Sequence, residues 1–169
     1  AVPSSRFVFT APQASVSRDR FEQRLHRAFT AAGADPTRQL EFLPVLPTAE
    51  FRVRLAAADL FLDPPGWSGG HTTLEAVAAG RPVVTLPGDF MRRRHALGIL
   101  RTLDPDGTWS TPLIAESPEA YVNAAIALAT DRSRRSAIAD SVAACGCRCF
   151  DDPAPIRALE AVLLEAAGR

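Results

Sequence analysis

The chain has 169 residues, 47% of them hydrophobic and 22% charged, the proportions of one globular domain with a core and not of a disordered tail. Basic and acidic residues number 19 each, so no net positive field exists to gather phosphates, which excludes a nucleic-acid binder working by bulk electrostatics. All the Lys+Arg count is Arg, which excludes a Schiff base or a phosphate-binding Lys supplied by this chain.

Short apolar runs alternate with longer amphipathic stretches, the pattern of repeated β-α units. Residues 6–10 predict a first strand. A helix is expected from about Ser17, with Phe21, Leu25 and Phe29 on one face at a spacing of four, ending at Gly33. Residues 40–43 predict a second strand, closed by Pro44 and Pro47, after which Thr48 is expected to N-cap a helix through Ala58. A short buried strand over 59–63 leads into the loop Pro64-Pro65-Gly66-Trp67-Ser68-Gly69-Gly70, then a helix from Thr72 to Ala79 stopped by Gly80 and Pro82. Residues 83–86 predict a fourth strand, and a helix is expected from about Phe90 to Leu100. Leu113-Ile114 suggests a short edge strand, and helices are expected over 118–129, 132–144 and 155–166. Strands that alternate with helices in this way imply an α/β fold with a Rossmann-like, doubly wound parallel sheet, whose ligands bind outside the carboxyl ends of the strands.

The richest stretch for chemistry runs from Ser68 to Gly88. Gly69 and Gly70 let backbone amides approach a ligand with no side chain in the way, and the helix that follows aims open amides and a positive dipole end at the same point. That is a place for a phosphate. It is neither the dinucleotide fingerprint, because no G-x-G-x-x-G follows the first strand, nor a Walker loop, because the Lys is missing. Two readings of Thr72 and Glu75 stand side by side: the T-x-x-E spacing of a capping box, or a Glu75 that holds a ribose hydroxyl pair. His71 is a lone loop histidine, of a kind more often structural or solvated than catalytic. In Arg92-Arg93-Arg94, expected in the first turn of a helix, Arg92 and Arg93 read as a solvated face and Arg94 as the one that faces the cleft.

Cys145, Cys147 and Cys149 are spaced too closely for a zinc site and are odd in number, so they read as incidental thiols in a reducing compartment, the cytoplasm. No run reaches the roughly 20 apolar residues of a membrane span, and no metal is expected.

The segment from Asp63 to Glu75, with Ser68-Gly69-Gly70-His71-Thr72-Thr73-Leu74-Glu75 at its centre, continues through Gly80-Arg81-Pro82 to Pro87-Gly88 and Asp89-Phe90-Met91. It resembles the O-linked N-acetylglucosamine transferase/SPINDLY-like glycosyltransferases, most closely their bacterial members with tetratricopeptide repeats. The resemblance implies a GT-B enzyme of two Rossmann-like lobes, with this chain as the C-terminal, donor-binding lobe over 1–150 and a C-terminal helix over 151–169. That helix would pack on the lobe or on an N-terminal lobe.

The resemblance further implies that Gly70, His71, Thr72 and Thr73 cradle the diphosphate of a UDP-sugar and that Glu75 takes the ribose. The Val45-Leu46-Pro47 backbone would meet the uracil, with Phe51 beside the base and Arg54 nearby. The donor, UDP-N-acetylglucosamine, is a substrate rather than a cofactor, and transfer to a protein Ser/Thr hydroxyl would need no metal. Animal members carry a Lys and a His where this chain has Thr48 and Phe51, and a diphosphate-contacting Lys lies upstream of the matched segment. The expected partners are therefore the UDP-sugar, a protein acceptor, and an N-terminal lobe with helical repeats, on the same or another chain. His71 and His95 are both candidates for the general base. A non-catalytic nucleotide-sugar module and a sugar-nucleotide epimerase lobe are the alternatives.

Overall fold

A computed structural model describes residues 2–10 and 15–168. The loop after the first strand, at a carboxyl strand end where ligands are expected, lies outside the described residues.

Strand β1 (Phe7–Thr10) pairs in parallel with β2 (Leu40–Leu43), Phe7 opposite Leu40 and Thr10 opposite Leu43. Between them run α1 (Ser15–Ala31) and the short α2 (Pro36–Gln39), which the sequence reading did not separate from its surroundings. The predicted face of α1 packs on this pair through aromatic edges: Phe29 meets Phe7 with ring centroids at 5.4 Å, and Phe21 meets Phe9 at 5.5 Å. Gly33, at φ 72°, takes the left-handed conformation that ends the helix.

Helix α3 (Thr48–Ala56) leads to β3 (Phe61–Leu62), which pairs in parallel with β4 (Val83–Val84) across the crossover helix α4 (His71–Ala78). Thr48 is the first helical residue of α3 and not its cap. Pro47 is the N-cap and has no side-chain donor or acceptor to offer. The parallel α/β class stands, but the sheet appears as two parallel pairs, β1-β2 and β3-β4, and not as one continuous ladder. The expected edge strand at Leu113-Ile114 reduces to a tight turn over Thr111–Leu113 and one parallel bridge between Thr85 and Ile114.

The helix expected over 90–100 divides. A single 3₁₀ turn covers Met91–Arg93, and α5 (His95–Leu103) begins only after Arg94. Helices α6 (Pro118–Thr130), α7 (Arg132–Cys145) and α8 (Ala154–Ala166) follow, α6 capped by the Ser117 hydroxyl and α7 by the Asp131 carboxylate.

The core gathers around β4: Val83, Val84, Ala96, Leu100 and Leu103 are fully buried, with Val77, Leu113, Leu128 and Val142 packed around them. By contrast, residues 151–168 are exposed throughout, including Ile156, Leu159, Val162, Leu163 and Leu164 of α8. Deleting 151–169 is expected to move the thermal midpoint by less than about 3 °C, since surface changes of this kind stay within about 0.5 kcal/mol. A larger drop in a calorimetric scan would show that α8 is held by the rest of the chain.

Candidate functional site

Strand β3 ends at Leu62, and Asp63 begins the loop that carries the chain over the carboxyl edge of the β3-β4 pair into α4. Asp63 is completely buried. Its Oδ1 accepts the Gly69 N–H at 2.7 Å, and its Oδ2 accepts the Thr85 hydroxyl at 2.7 Å. Its backbone N–H pairs with Val84 at 2.9 Å, and its carbonyl accepts the Tyr121 hydroxyl at 3.0 Å. Burial, reinforced by the Asp63 charge, holds the Tyr121 pKa above its ordinary value, so the phenol remains a donor.

Ser68 fixes the other side of the loop. Its N–H reaches the Arg92 carbonyl at 2.8 Å, its buried hydroxyl accepts the Ala96 N–H at 2.9 Å, and its carbonyl lies 3.0 Å from His95 Nδ1. The start of α5 is thereby tied to the start of α4. Arg93 closes the loop from outside, donating from Nε to the Pro65 carbonyl at 2.7 Å. Arg93 is half-buried, which corrects its reading as a solvated side chain. Arg94 donates to the Gly88 carbonyl at 2.8 Å, beside the same loop, and Arg92 lies over the Phe90 ring. All three precede α5, so none sits in its first turn.

Gly70 is the N-cap of α4. The backbone N–H groups of Gly70, His71, Thr72 and Thr73 find no acceptor among the described residues, the open donors that a helix start leaves for a cap or an anion. Thr73 adds a second sign: its Oγ1 is buried and has no partner among the described residues. A Cβ on Gly69 would stand 2.5 Å from Thr72 Oγ1 and 3.0 Å from Thr73 Oγ1, so both hydroxyls crowd the space that glycine leaves open.

The capping box does not form. The cap lies two residues before Thr72, and Glu75, 9% exposed, turns to side chains instead. Arg52 Nε of α3 stands 3.2 Å from its Oε1, and His71 Nε2 stands 3.4 Å from the same oxygen. His71 itself is 79% exposed, one turn above Glu75 and with no other ion-pair partner among the described residues.

The structure thus brings Gly69, Gly70, His71, Thr72, Thr73 and Glu75 onto one edge, with Arg94 alongside. The residues expected at the base lie on the neighbouring segment. Leu46 is half-buried, Phe51 packs against the core, and Arg54 points to Glu41 of β2 at 3.5 Å. Arg52 was missed, although it is the α3 residue that reaches Glu75. Asp63, Ser68 and Thr85 were also given no role. The only sequence signal for them was the buried-strand-to-glycine-loop pattern, which marks the place without naming the bonds.

Two open hollows lie elsewhere. One, of about 490 Å³, is lined by Asp19, Glu22, Gln23, His26 and Arg27 on α1, and the other, of about 270 Å³, by Ala49, Glu50, Val53 and Arg54 on α3. None of these lining residues is buried, so no desolvated polar group converges on either hollow, and the chemical weight stays with the glycine loop. Cys145, Cys147 and Cys149 are free thiols away from it, and burial raises the Cys149 pKa, which keeps that thiol protonated and unreactive. Among the described residues no group of three or more His, Cys, Asp or Glu is placed to hold a metal ion, and no helix is long and apolar enough to cross a membrane.

Known proteins match most of the chain. The chain is 28% identical over 132 residues to a probable UDP-N-acetylglucosamine–peptide N-acetylglucosaminyltransferase SPINDLY from Solanum lycopersicum, a match covering 78% of this chain and 13% of that protein. In three dimensions it is similar to a mutant of the Thermobaculum terrenum O-GlcNAc transferase, with a TM-score of 0.67 and 29% identity, over 81% of this chain and 25% of that one. The chain therefore spans about an eighth of the curated relative and a quarter of the solved one, and its α/β architecture is that of a GT-B glycosyltransferase lobe. The family model of glycosyl transferase family 41 matches residues 18–149, well over half of the sequence, and the chain belongs to that family.

Proposed function

We propose that residues 1–150 form the donor-binding lobe of a glycosyltransferase. It takes a UDP-sugar, UDP-N-acetylglucosamine by the names of its relatives, for transfer to a protein Ser/Thr hydroxyl. The observation that carries this reading is the start of α4, where four open amides and the buried, unpartnered Thr73 hydroxyl meet at the carboxyl edge of β3-β4. Transfer leaves a nucleoside diphosphate, whose departing oxygen gains negative charge. Donors fixed before the reaction, in a site that excludes water, stabilise that charge without having to reorganise. Gly70, His71, Thr72 and Thr73 supply the amides, and the α4 dipole adds to them.

Glu75 is held by Arg52 and His71 on the same edge, where a ribose diol would find an acceptor. Leu46, Phe51 and Arg54 would border the base. His71 is the catalytic candidate because it combines exposure with a carboxylate neighbour. In this reading α8 presents its apolar face to a further lobe, which with helical repeats would bind the acceptor. The three free thiols suit the reducing cytoplasm.

The test is a calorimetric titration of the 169-residue chain with UDP and with UDP-N-acetylglucosamine. Saturable binding with a Kd below about 1 mM, equivalent to roughly 4 kcal/mol, is expected. Absence of saturation at millimolar nucleotide would end the donor-lobe reading.

A further inference from the structure

We propose that Asp63 is a positioning residue for the diphosphate: it touches no ligand, but fixes the Gly69 peptide so that the amides after it face the anion. The inference rests on the donor-lobe reading and adds to it a residue that acts from behind the loop.

A carboxylate with no exposed surface is expensive unless its charge is answered. Among the described residues no Arg or His forms an ion pair with Asp63, so hydrogen bonds alone answer it. The two donors to its carboxylate, a backbone amide and a hydroxyl, come from the two segments that must be aligned for the site to exist. Gly69, in the loop, donates to Oδ1, and Thr85, just beyond β4, donates to Oδ2. The Tyr121 hydroxyl pins the Asp63 carbonyl from α6, and the β4 ladder pins its amide. Asp63 as a residue is therefore held by the loop, by β4 with Thr85 and by α6, and among the described residues its carboxylate reaches the loop through Gly69.

That connection decides which way the amides point. With the Gly69 N–H turned inward to Asp63, the N–H groups of Gly70, His71, Thr72 and Thr73 remain open at the helix start. A Cβ on Gly69 would stand 3.6 Å from Asp63 Oδ1, besides meeting the hydroxyls of Thr72 and Thr73 closer still. The carboxylate and both hydroxyls thus border the space that only glycine leaves free. A bare carboxylate this near a bound diphosphate would repel it. With its two oxygens accepting from an amide and a hydroxyl, the carboxylate's charge is partly offset by those donors.

The test separates diphosphate binding from nucleoside binding. UDP and uridine are titrated into the wild-type chain and into Asp63→Ala, Asp63→Asn and Thr85→Val, with circular dichroism showing that each variant is folded at the temperature used. Asn has the shape of Asp and carries an acceptor oxygen and an NH2 with two donors, so it still bonds the Gly69 N–H and can donate to Thr85 Oγ1. Asp63→Ala is expected to weaken UDP about tenfold or more while leaving uridine unchanged, in line with the loss of a charge-assisted hydrogen bond. Thr85→Val, which keeps the shape of a buried side chain and the Gly69 bond, is expected to weaken UDP about threefold. Asp63→Asn is expected to stay within about threefold of the wild type.

The proposal is overturned if uridine and UDP weaken together in Thr85→Val or in a folded Asp63→Ala. It is also overturned if both variants bind UDP as the wild type does. A wild-type chain that binds UDP no better than uridine overturns the donor-lobe reading itself, and the role of Asp63 with it. The two failures are thus read from different proteins.

Discussion

Thr73→Val is expected to give a protein that is more stable and binds a nucleoside diphosphate worse. Thr73 is fully buried and its Oγ1 has no partner among the described residues, so the free chain carries the desolvation cost of a hydroxyl with nothing in return. That cost is about 1–3 kcal/mol, and a valine of the same outline removes it without opening a cavity. In a domain whose whole stability is about 5–15 kcal/mol, the gain should be plain in a urea melt. The same hydroxyl is a donor waiting beside four open amides. A hydrogen bond from it to an ionised phosphate oxygen is worth about 1.5–3 kcal/mol, so UDP affinity should fall by roughly 10- to 100-fold. An unsatisfied hydroxyl that merely reflected loose packing would give the stability gain alone. Stabilisation with unchanged UDP affinity would remove Thr73 from the site, and loss of stability would show that its hydroxyl is satisfied in the folded protein.

What the sequence allowed to be read depended on how far apart the cooperating residues are. Phe21, Leu25 and Phe29 could be placed on one face of α1 because helical spacing is local, and Gly33 ends that helix because the left-handed turn is local too. The glycine pair before α4 was legible for the same reason. The start of α4 itself was not. Its register is set by Asp63, Arg92 and the beginning of α5, through bonds that cross 6 to 28 residues of sequence. Those bonds bring the cap to Gly70, two residues earlier than the T-x-x-E spacing suggests.

Arg52 and Glu75 are 23 residues apart, and only the packing of α3 beside α4 joins them. Arg93 was misread because a run of three arginines looks like a solvated face. The 3₁₀ turn over Met91–Arg93 instead carries its guanidinium back to Pro65. The two-pair sheet has a related cause. Strands β3 and β4 pair over only two residues each, and the bridge beyond β4 joins Thr85 to Ile114 and not to β3; an apolar run in the sequence does not say how many of its residues will pair.

The second large effect is expected at the end of α5 and is a matter of acid stability. Asp104 is 5% exposed and closes the turn that follows the helix. Its Oδ1 accepts the Thr108 N–H at 3.1 Å and the Thr108 hydroxyl at 2.9 Å, and its Oδ2 accepts the N–H groups of Trp109 at 2.8 Å and Ser110 at 2.7 Å. Burial by itself would raise the pKa of this carboxyl. The backbone N–H groups of Trp109 and Ser110, with the side chains of Thr108 and Ser110, outweigh burial and hold the pKa well below the usual range. A depressed pKa means that the folded state stays ionised at a pH where the unfolded chain, near pKa 3.9, already takes up a proton. The stabilisation is therefore complete above about pH 4 and is lost as the pH falls through the folded-state pKa. Asp104→Ala removes it and strands two or more amide donors, a cost of about 2–5 kcal/mol at pH 7. Urea melts at pH 7 and pH 3 should show a wide gap between wild type and variant at the first and a narrower one at the second. A gap that stays constant, or widens in acid, would mean that the Asp104 charge contributes nothing and that the turn is held by other bonds.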